Sequence, residues 1–305
     1  MSDDPTRAGF VALIGAPNAG KSTLLNRLVG TKVSIVTHKV QTTRTQVRGI
    51  AMHPPGGEGA SQIIFVDTPG IFKPRRRLDR AMVDAAWGGA RDADIACLLI
   101  DAERGIRGDA EAILDRLPGV AIPKVLILNK IDRVPREDLL ALTQAANEKV
   151  NFEATFLISA LNGDGCEDLM DWLAARVPEG PYLYPPDQVS DQPVQLLTAE
   201  VTREKLFLRL HQELPYAAHV EVEGWEEKPD GSVRVEQVIY VARDAHKKIV
   251  IGKGGSTLRA IGQAAREELT QMLDRKVHLF LFVKVRENWI DDPERYREMG
   301  LEFPR

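Results

Sequence analysis

Gly15-Ala16-Pro17-Asn18-Ala19-Gly20-Lys21-Ser22 has the residue types and the G-x-x-x-x-G-K-S spacing to hold a polyphosphate. Several backbone N–H groups must meet phosphate oxygens at once, and glycine permits conformations and approaches that a β-carbon obstructs. Lys21 is placed to reach the β- and γ-phosphates, and Ser22 to put its hydroxyl on Mg²⁺. The apolar run Phe10–Ile14 leads in as a strand, and Thr23 to Leu28 leads out with helical spacing. The helix N-terminus then points at the anion, so Gly15, Asn18, Ala19, Gly20, Lys21, Ser22 and Thr23 form the expected phosphate cradle. A glycine turn between any strand and helix has similar composition, so the weight falls on signals further along the chain.

Three such signals come at the ends of apolar runs. Gln62–Val66 ends at Asp67-Thr68-Pro69-Gly70, where the Asp67 carboxylate can hold Mg²⁺ through water and the Gly70 N–H can meet a γ-phosphate. Val125–Leu128 ends at Asn129-Lys130-Ile131-Asp132. Guanine presents N1–H and a 2-amino group side by side, which the two oxygens of a buried Asp132 accept together; adenine has no such pair, and the buried carboxylate is left unpaired. Asn129 ties this loop to the phosphate loop, and the Lys130 stem covers the base. Thr155–Ile158 ends at Ser159-Ala160-Leu161, with the Ala160 N–H aimed at guanine O6. The polar stretch Thr37–Gln46 carries Gln41-Thr42-Thr43-Arg44 and reads either as a switch that brings a threonine hydroxyl to the metal or as an ordinary loop. The basic stretch Ile71–Arg77 reads equally as a mobile switch or a solvated face.

Apolar strands alternating with helical patterns, each strand ending in a ligand signal, describe an open α/β sheet with helices on both faces. The 305 residues suffice for two domains, with 44% apolar and 28% charged residues and a net charge of −4. The polar start lacks a signal peptide, no run approaches membrane-spanning length, and Cys97 and Cys166 read as free thiols of a reducing cytosol. The six histidines show no metal-ligand spacing, which argues against a protein-built metal site.

With its four signals in this order, the stretch 8–177 resembles the translation-factor-like class of phosphate-loop GTPases. Position 71, after Asp67-Thr68-Pro69-Gly70, is Ile rather than the water-orienting glutamine of better-known small GTPases. That narrows the resemblance to the branch with a hydrophobic residue there. The branch implies that Asn18 helps coordinate an activating K⁺, that intrinsic turnover is slow, and that Lys21, Thr43, Asn18 and Gly70 carry catalysis. Thr42, beside Thr43, keeps the switch-threonine assignment open.

Pro178 to Asp187 is proline-rich and breaks all periodicity, so 178–192 is read as a linker. Beyond it, 193–290 shows a helix from Val194 to Leu214 stopped at Pro215, a hairpin of Ala217–Glu223 and Val233–Val241 around Pro229-Asp230-Gly231-Ser232, a short helix, Gly252-Lys253-Gly254-Gly255, a helix from Ser256 to Leu273 and a strand from Val277 to Val285. Residues 245–286 hold nine basic residues against three acidic, a local surplus of six in an acidic chain. This order and the G-x-x-G turn resemble the K-homology (KH) RNA-binding module in its bacterial arrangement, an α+β type II KH domain that clamps about four nucleotides of single strand. Its RNA-binding set here is Lys247, Lys248, Ile251, Gly252, Lys253, Gly254, Gly255 and Arg259.

One GTPase domain joined to one such module, together with Val283–Asp292 before the tail 291–305, resembles the Era family of bacterial ribosome-assembly GTPases over nearly the whole chain. The resemblance implies a cytoplasmic monomer that binds GTP or GDP with Mg²⁺, contacts 16S ribosomal RNA near its 3′ end, and acts in maturation of the 30S subunit. A rival reading treats the basic module as a dock for a protein partner or for the inner face of an anionic membrane. Within the GTPase class, a tRNA-modification or large-subunit assembly factor competes.

Overall fold

A computed structural model describes residues 6–39, 42–44, 46–56, 59–210, 214, 218–287, 293–298 and 300–304. Gln41, Pro215, Ala217, the first five residues and the stretch 288–292, all named from the sequence, lie outside these. The chain forms two compact units: residues 1–34, 43–191 and 299–305 in one, and residues 35–42 and 192–298 in the other.

The first unit holds the expected α/β sheet. Six strands, β1 (Arg7–Gly15), β2 (Val47–His53), β3 (Ser61–Asp67), β4 (Ile95–Asp101), β5 (Lys124–Asn129) and β6 (Ala154–Ile158), lie in the order β2-β3-β1-β4-β5-β6. All neighbouring pairs are parallel except β2–β3. The continuous apolar runs follow from coverage on both faces. Along β1, Val11 and Leu13 enter the core under α1 (Lys21–Val29) and α5 (Cys166–Ala174), while Ala12 and Ile14 enter the opposite core with α2 (Arg77–Asp92), α3 (Asp109–Arg116) and α4 (Arg136–Lys149). The strand order reverses at β1, so the loop after it occupies the crevice where such sheets hold ligands.

Three local readings change in this unit. The basic stretch ending at Arg77 runs into α2, and Asp79 Oδ2 caps that helix by accepting the N–H groups of Arg75 and Arg76 at 3.0 and 2.9 Å. Strand β2 has no counterpart in the apolar runs. The segment read as a linker is fastened to the first unit along its length. Buried Gln62 accepts the N–H groups of Leu183 and Tyr184 at 2.8 and 3.0 Å and donates to the Tyr184 carbonyl at 2.8 Å. Further on, Ile50 N–H donates to the Val189 carbonyl and Arg48 pairs with Asp191, both at 2.9 Å.

The second unit is α+β, as the KH resemblance implies. Its helices α6 (Val194–Arg209), α7 (Asp244–Ile251) and α8 (Ser256–Met272) accompany a three-stranded sheet of β7 (Ala218–Glu227), β8 (Val233–Val241) and β9 (Val277–Val285), followed by α9 (Pro293–Glu298). β7 and β8 pair antiparallel and β8 and β9 parallel. Ala199, Leu206, Ile239, Val250 and Ile261 close its core. Helix α6 ends at Arg209 rather than Leu214, because Leu210 turns to extended backbone at the cap.

Candidate nucleotide site and nucleic-acid face

The phosphate loop leaves β1 and opens α1 at Lys21. Gly20 adopts φ 101°, and a β-carbon on it would lie 2.1 Å from Asn129 Nδ2, so only glycine fits between the loop and the base-reading strand. Gly70 also packs tightly against the loop: its hypothetical Cβ would stand 2.9 Å from Pro17 Cα. Beside it, the Ile71 N–H donates to the Gly15 carbonyl at 3.0 Å while the Ile71 side chain is buried in the core, leaving position 71 no polar group to orient water.

Lys21 is buried, and its ammonium donates to the carbonyls of Gly15 and Ala16 at 3.1 and 3.2 Å. Desolvation pushes its pKa down to about 8, against the opposing pull of the Asp67 carboxylate. Burial raises the pKa of Asp67, with Lys21 and hydroxyl donors working the other way. Asp67 Oδ2 accepts from Ser22 Oγ at 2.6 Å and from Ser34 Oγ at 3.0 Å, and Ser22 Oγ lies 3.0 Å from Thr43 Oγ1. Asp67 Oδ1 is buried without a hydrogen-bond donor. An orphaned carboxylate oxygen beside two hydroxyls is a set of hard oxygen donors that suits Mg²⁺.

Thr42 points elsewhere: its hydroxyl is shared with Thr37 Oγ1 at 2.5 Å and donates to the Lys39 carbonyl at 2.8 Å. The geometry therefore separates the two threonines and brings Thr43 to the metal-binding oxygens. Ser34 was missed in the sequence, although a lone hydroxyl between buried Val33 and Ile35 is a legible signal. Asn26 on α1 positions it, accepting the Val33 and Ser34 N–H groups at 2.9 Å each and donating to the Ser34 carbonyl at 2.7 Å.

At the base end, buried Asn129 donates to the Ala19 carbonyl at 2.9 Å and accepts from the N–H groups of Lys130 and Ala160 at 2.8 and 3.0 Å. That single side chain ties the phosphate loop, the base-reading loop and the Ser159-Ala160-Leu161 loop together. It also occupies the Ala160 N–H assigned above to guanine O6. The next donor along, Leu161 N–H, has no acceptor among the described residues. Lys130 sits in the left-handed region at φ 68°, and its ammonium is drawn to Asp101 at 2.5 Å, another buried group the sequence reading passed over. Asp132 is exposed, with Arg133 Nε 3.9 Å from its carboxylate, and so is not the buried acid argued from the motif. The bound base itself must complete its desolvation. Thr23 follows Ser22 in the first turn of α1, and Ser159 shapes its loop by accepting the Asn162 N–H on its hydroxyl at 3.3 Å.

In the second unit, Gly252-Lys253-Gly254-Gly255 forms the tight connection between α7 and α8. Lys248, Lys253 and Arg259 are exposed, Lys247 is half-buried, and among the described residues none of the four has an acidic partner. Elsewhere the basic surplus is partly spent: Lys284 pairs with Glu223 at 2.9 Å and Arg275 with Glu227 at 2.5 Å. Four of the seven basic residues of 245–286 that have no acidic partner among the described residues lie at or beside the glycine turn, next to Ile251; the others are Arg266, Lys276 and Arg286.

Among the described residues, no helix is long and apolar enough to cross a membrane. Residues 10–130 match the family described as 50S ribosome-binding GTPase, and residues 213–290 match the KH domain. The GTPase Era of Rhizobium meliloti is 70% identical over 301 residues, covering 99% of this chain and 95% of that protein. The Mesorhizobium japonicum GTPase Era is 71% identical over 299 residues, covering 98% and 95%. The crystal structure of a point variant of Aquifex aeolicus Era bound to GDP.AlF4⁻ superposes with a TM-score of 0.89 at 37% identity, over 96% of this chain and 99% of that one. A structure of Era in complex with MgGDPNP and nucleotides 1506–1542 of 16S ribosomal RNA gives 0.90 at 37% identity, over 97% and 99%. With that identity over almost its full length, and with a phosphate-loop unit and a KH unit in the same order, this chain belongs to the Era family of GTPases.

Proposed function

We propose that this GTPase is a nucleotide-driven switch that binds 16S ribosomal RNA near its 3′ end and acts in maturation of the 30S subunit. The observation that carries the reading is the cluster of four cations without acidic partners around the α7–α8 glycine turn, in a chain whose other unit is built for a nucleoside triphosphate. A G-x-x-G turn admits a nucleic-acid backbone closely, and the lysines neutralise it. Ser22, Thr43 and Asp67 hold Mg²⁺, which neutralises charge on the β- and γ-phosphates, while Lys21 and the Gly70 N–H meet the γ-phosphate. The family members solved with MgGDPNP and with GDP.AlF4⁻ support that assignment. The domain limits that go with this reading are 8–177, a connection at 178–192, 193–290 and a tail at 291–305. The protein works as a monomer in the cytosol.

Replacing Lys247 and Lys253 together by alanine is expected to weaken binding of a short single-stranded RNA about tenfold, and to lower the salt slope by roughly 1.4. Competition by a structureless polyanion as effective as the RNA would instead favour a protein or membrane partner for this face. RNA affinity is expected to be higher with a non-hydrolysable GTP analogue than with GDP, since a ligand shifts only an equilibrium whose states it binds unequally. Turnover is slow and faster in K⁺ than in Na⁺, with Asn18 supplying an oxygen to the monovalent ion beside the phosphates. In Asn18→Ala the two salts should give equal rates; equal rates in the unmutated protein would remove the ion from the mechanism.

A further inference from the structure

We propose that Ser34 is a positioning residue for the Mg²⁺ site: its hydroxyl fixes the Asp67 carboxylate by one oxygen and so leaves the other for the metal or its bound water. This rests on the placement of the nucleotide site proposed above, in which Ser22, Thr43 and Asp67 hold Mg²⁺. Ser34 belongs to none of the phosphate-loop, switch or base-reading motifs. It is nonetheless buried, and its one hydroxyl proton is spent on Asp67 Oδ2 at 3.0 Å.

The terminal torsion of an aspartate is broad and roughly two-fold, so nothing in Asp67 itself decides how its carboxylate is turned. Its neighbours decide it. Oδ2 accepts from Ser22 Oγ at 2.6 Å as well as from Ser34 Oγ, while Oδ1 is buried without a donor. A carboxylate hung on a single hydroxyl can pivot about that bond. Two donors from separate segments, converging on the same oxygen, stop the pivot and keep Oδ1 as the oxygen open to a cation. Both donors are set by one helix. Ser22 lies in the first turn of α1, and Asn26, four residues on and therefore on the same face, accepts the Val33 and Ser34 N–H groups at 2.9 Å each and donates to the Ser34 carbonyl at 2.7 Å. These contacts use only the backbone of Val33 and Ser34, so they survive loss of the Ser34 hydroxyl.

The test is the release of fluorescently labelled GDP from the full chain, followed across Mg²⁺ concentration and in excess EDTA. Mg²⁺ is expected to slow release from the unmutated protein. In Ser34→Ala the Mg²⁺ concentration that gives half of that slowing should rise about tenfold, the scale on which partners of a metal's ligands act. In EDTA the two proteins should release GDP at the same rate. Ser34→Cys, which keeps a side chain of similar shape but is a weak donor, should shift the midpoint in the same direction and serves if the alanine variant folds poorly. An unchanged Mg²⁺ midpoint would overturn the proposal. So would release that accelerates equally with and without Mg²⁺, which is what a merely loosened segment would do. If Mg²⁺ has no effect on the unmutated protein, it is instead the placement of Ser22, Thr43 and Asp67 around the metal that falls.

Discussion

Asp132→Asn is expected to convert the protein from a guanine to a xanthine nucleotide binder. The carboxylate accepts N1–H and the 2-amino group; the amide accepts N1–H but turns an N–H toward the exocyclic position, where xanthine carries an oxygen. A site built around a specific hydrogen-bonding pattern rejects the mismatched base by roughly 10⁴. We expect GDP affinity to fall by at least about 10³-fold and XDP affinity to rise by a similar factor. The substitution is isosteric and falls on an exposed side chain, while the loop's framework hangs on Asn129, so folding should be unaffected. Calorimetric titration with GDP and XDP reads both numbers, and GDP affinity within about twofold of the unmutated protein would exclude Asp132 as the base reader.

Lys21→Met is expected to do opposite things to binding and to stability. A buried ammonium facing a triphosphate is worth about 2–5 kcal/mol, so GTP affinity should drop roughly a hundredfold to a thousandfold. Without nucleotide, however, burial depresses the lysine to about 8 from 10.5. The folded chain therefore binds fewer protons than the unfolded chain between pH 8 and 10.5, and its stability should rise with pH across that window by about 3 kcal/mol. Below pH 8 the full penalty is present. Removing the charge should thus stabilise the nucleotide-free protein near neutrality, less the contribution of the two lost carbonyl contacts. The same logic makes GTP binding take up a proton: affinity of the unmutated protein should decline as pH rises through about 8, and that decline should vanish in Lys21→Met. Melting curves and titrations in buffers of different ionisation enthalpy check the two halves separately.

The sheet was legible wherever burial on both faces wrote an uninterrupted apolar run, as in Ile95–Asp101, and the ligand motifs were legible because each follows such a run. β2 was not, since Arg48, Gly49 and His53 interrupt its apolar residues, although Val47, Ile50 and Ala51 are all buried. Gly49 is required all the same: a β-carbon there would lie 2.6 Å from Leu25 Cδ1. Helix α2 was hidden for a related reason. Much of its buried face is alanine, at Ala81, Ala86 and Ala90, which periodicity weighs lightly, and the arginines before it drew the reading toward a solvated surface. Within the site, residue types were readable but allegiances were not. Nothing in Ser-Ala-Leu says that Asn129 takes the alanine N–H, or in Asn-Lys-x-Asp that the lysine is anchored by Asp101. Such choices are made by side chains distant in sequence, and only the folded chain brings them within reach.

The fastening of residues 178–191 by Gln62 bears on how the GTPase half should be cut out for study. A boundary drawn at Val177, where periodicity stops, would strip a fully enclosed amide of the three backbone partners it holds on Leu183 and Tyr184. Each orphaned polar group costs roughly 1–3 kcal/mol, enough to turn a soluble fragment into an aggregating one. A truncation that ends after Asp191 retains the whole clasp, and its melting temperature should exceed that of the shorter piece by several degrees.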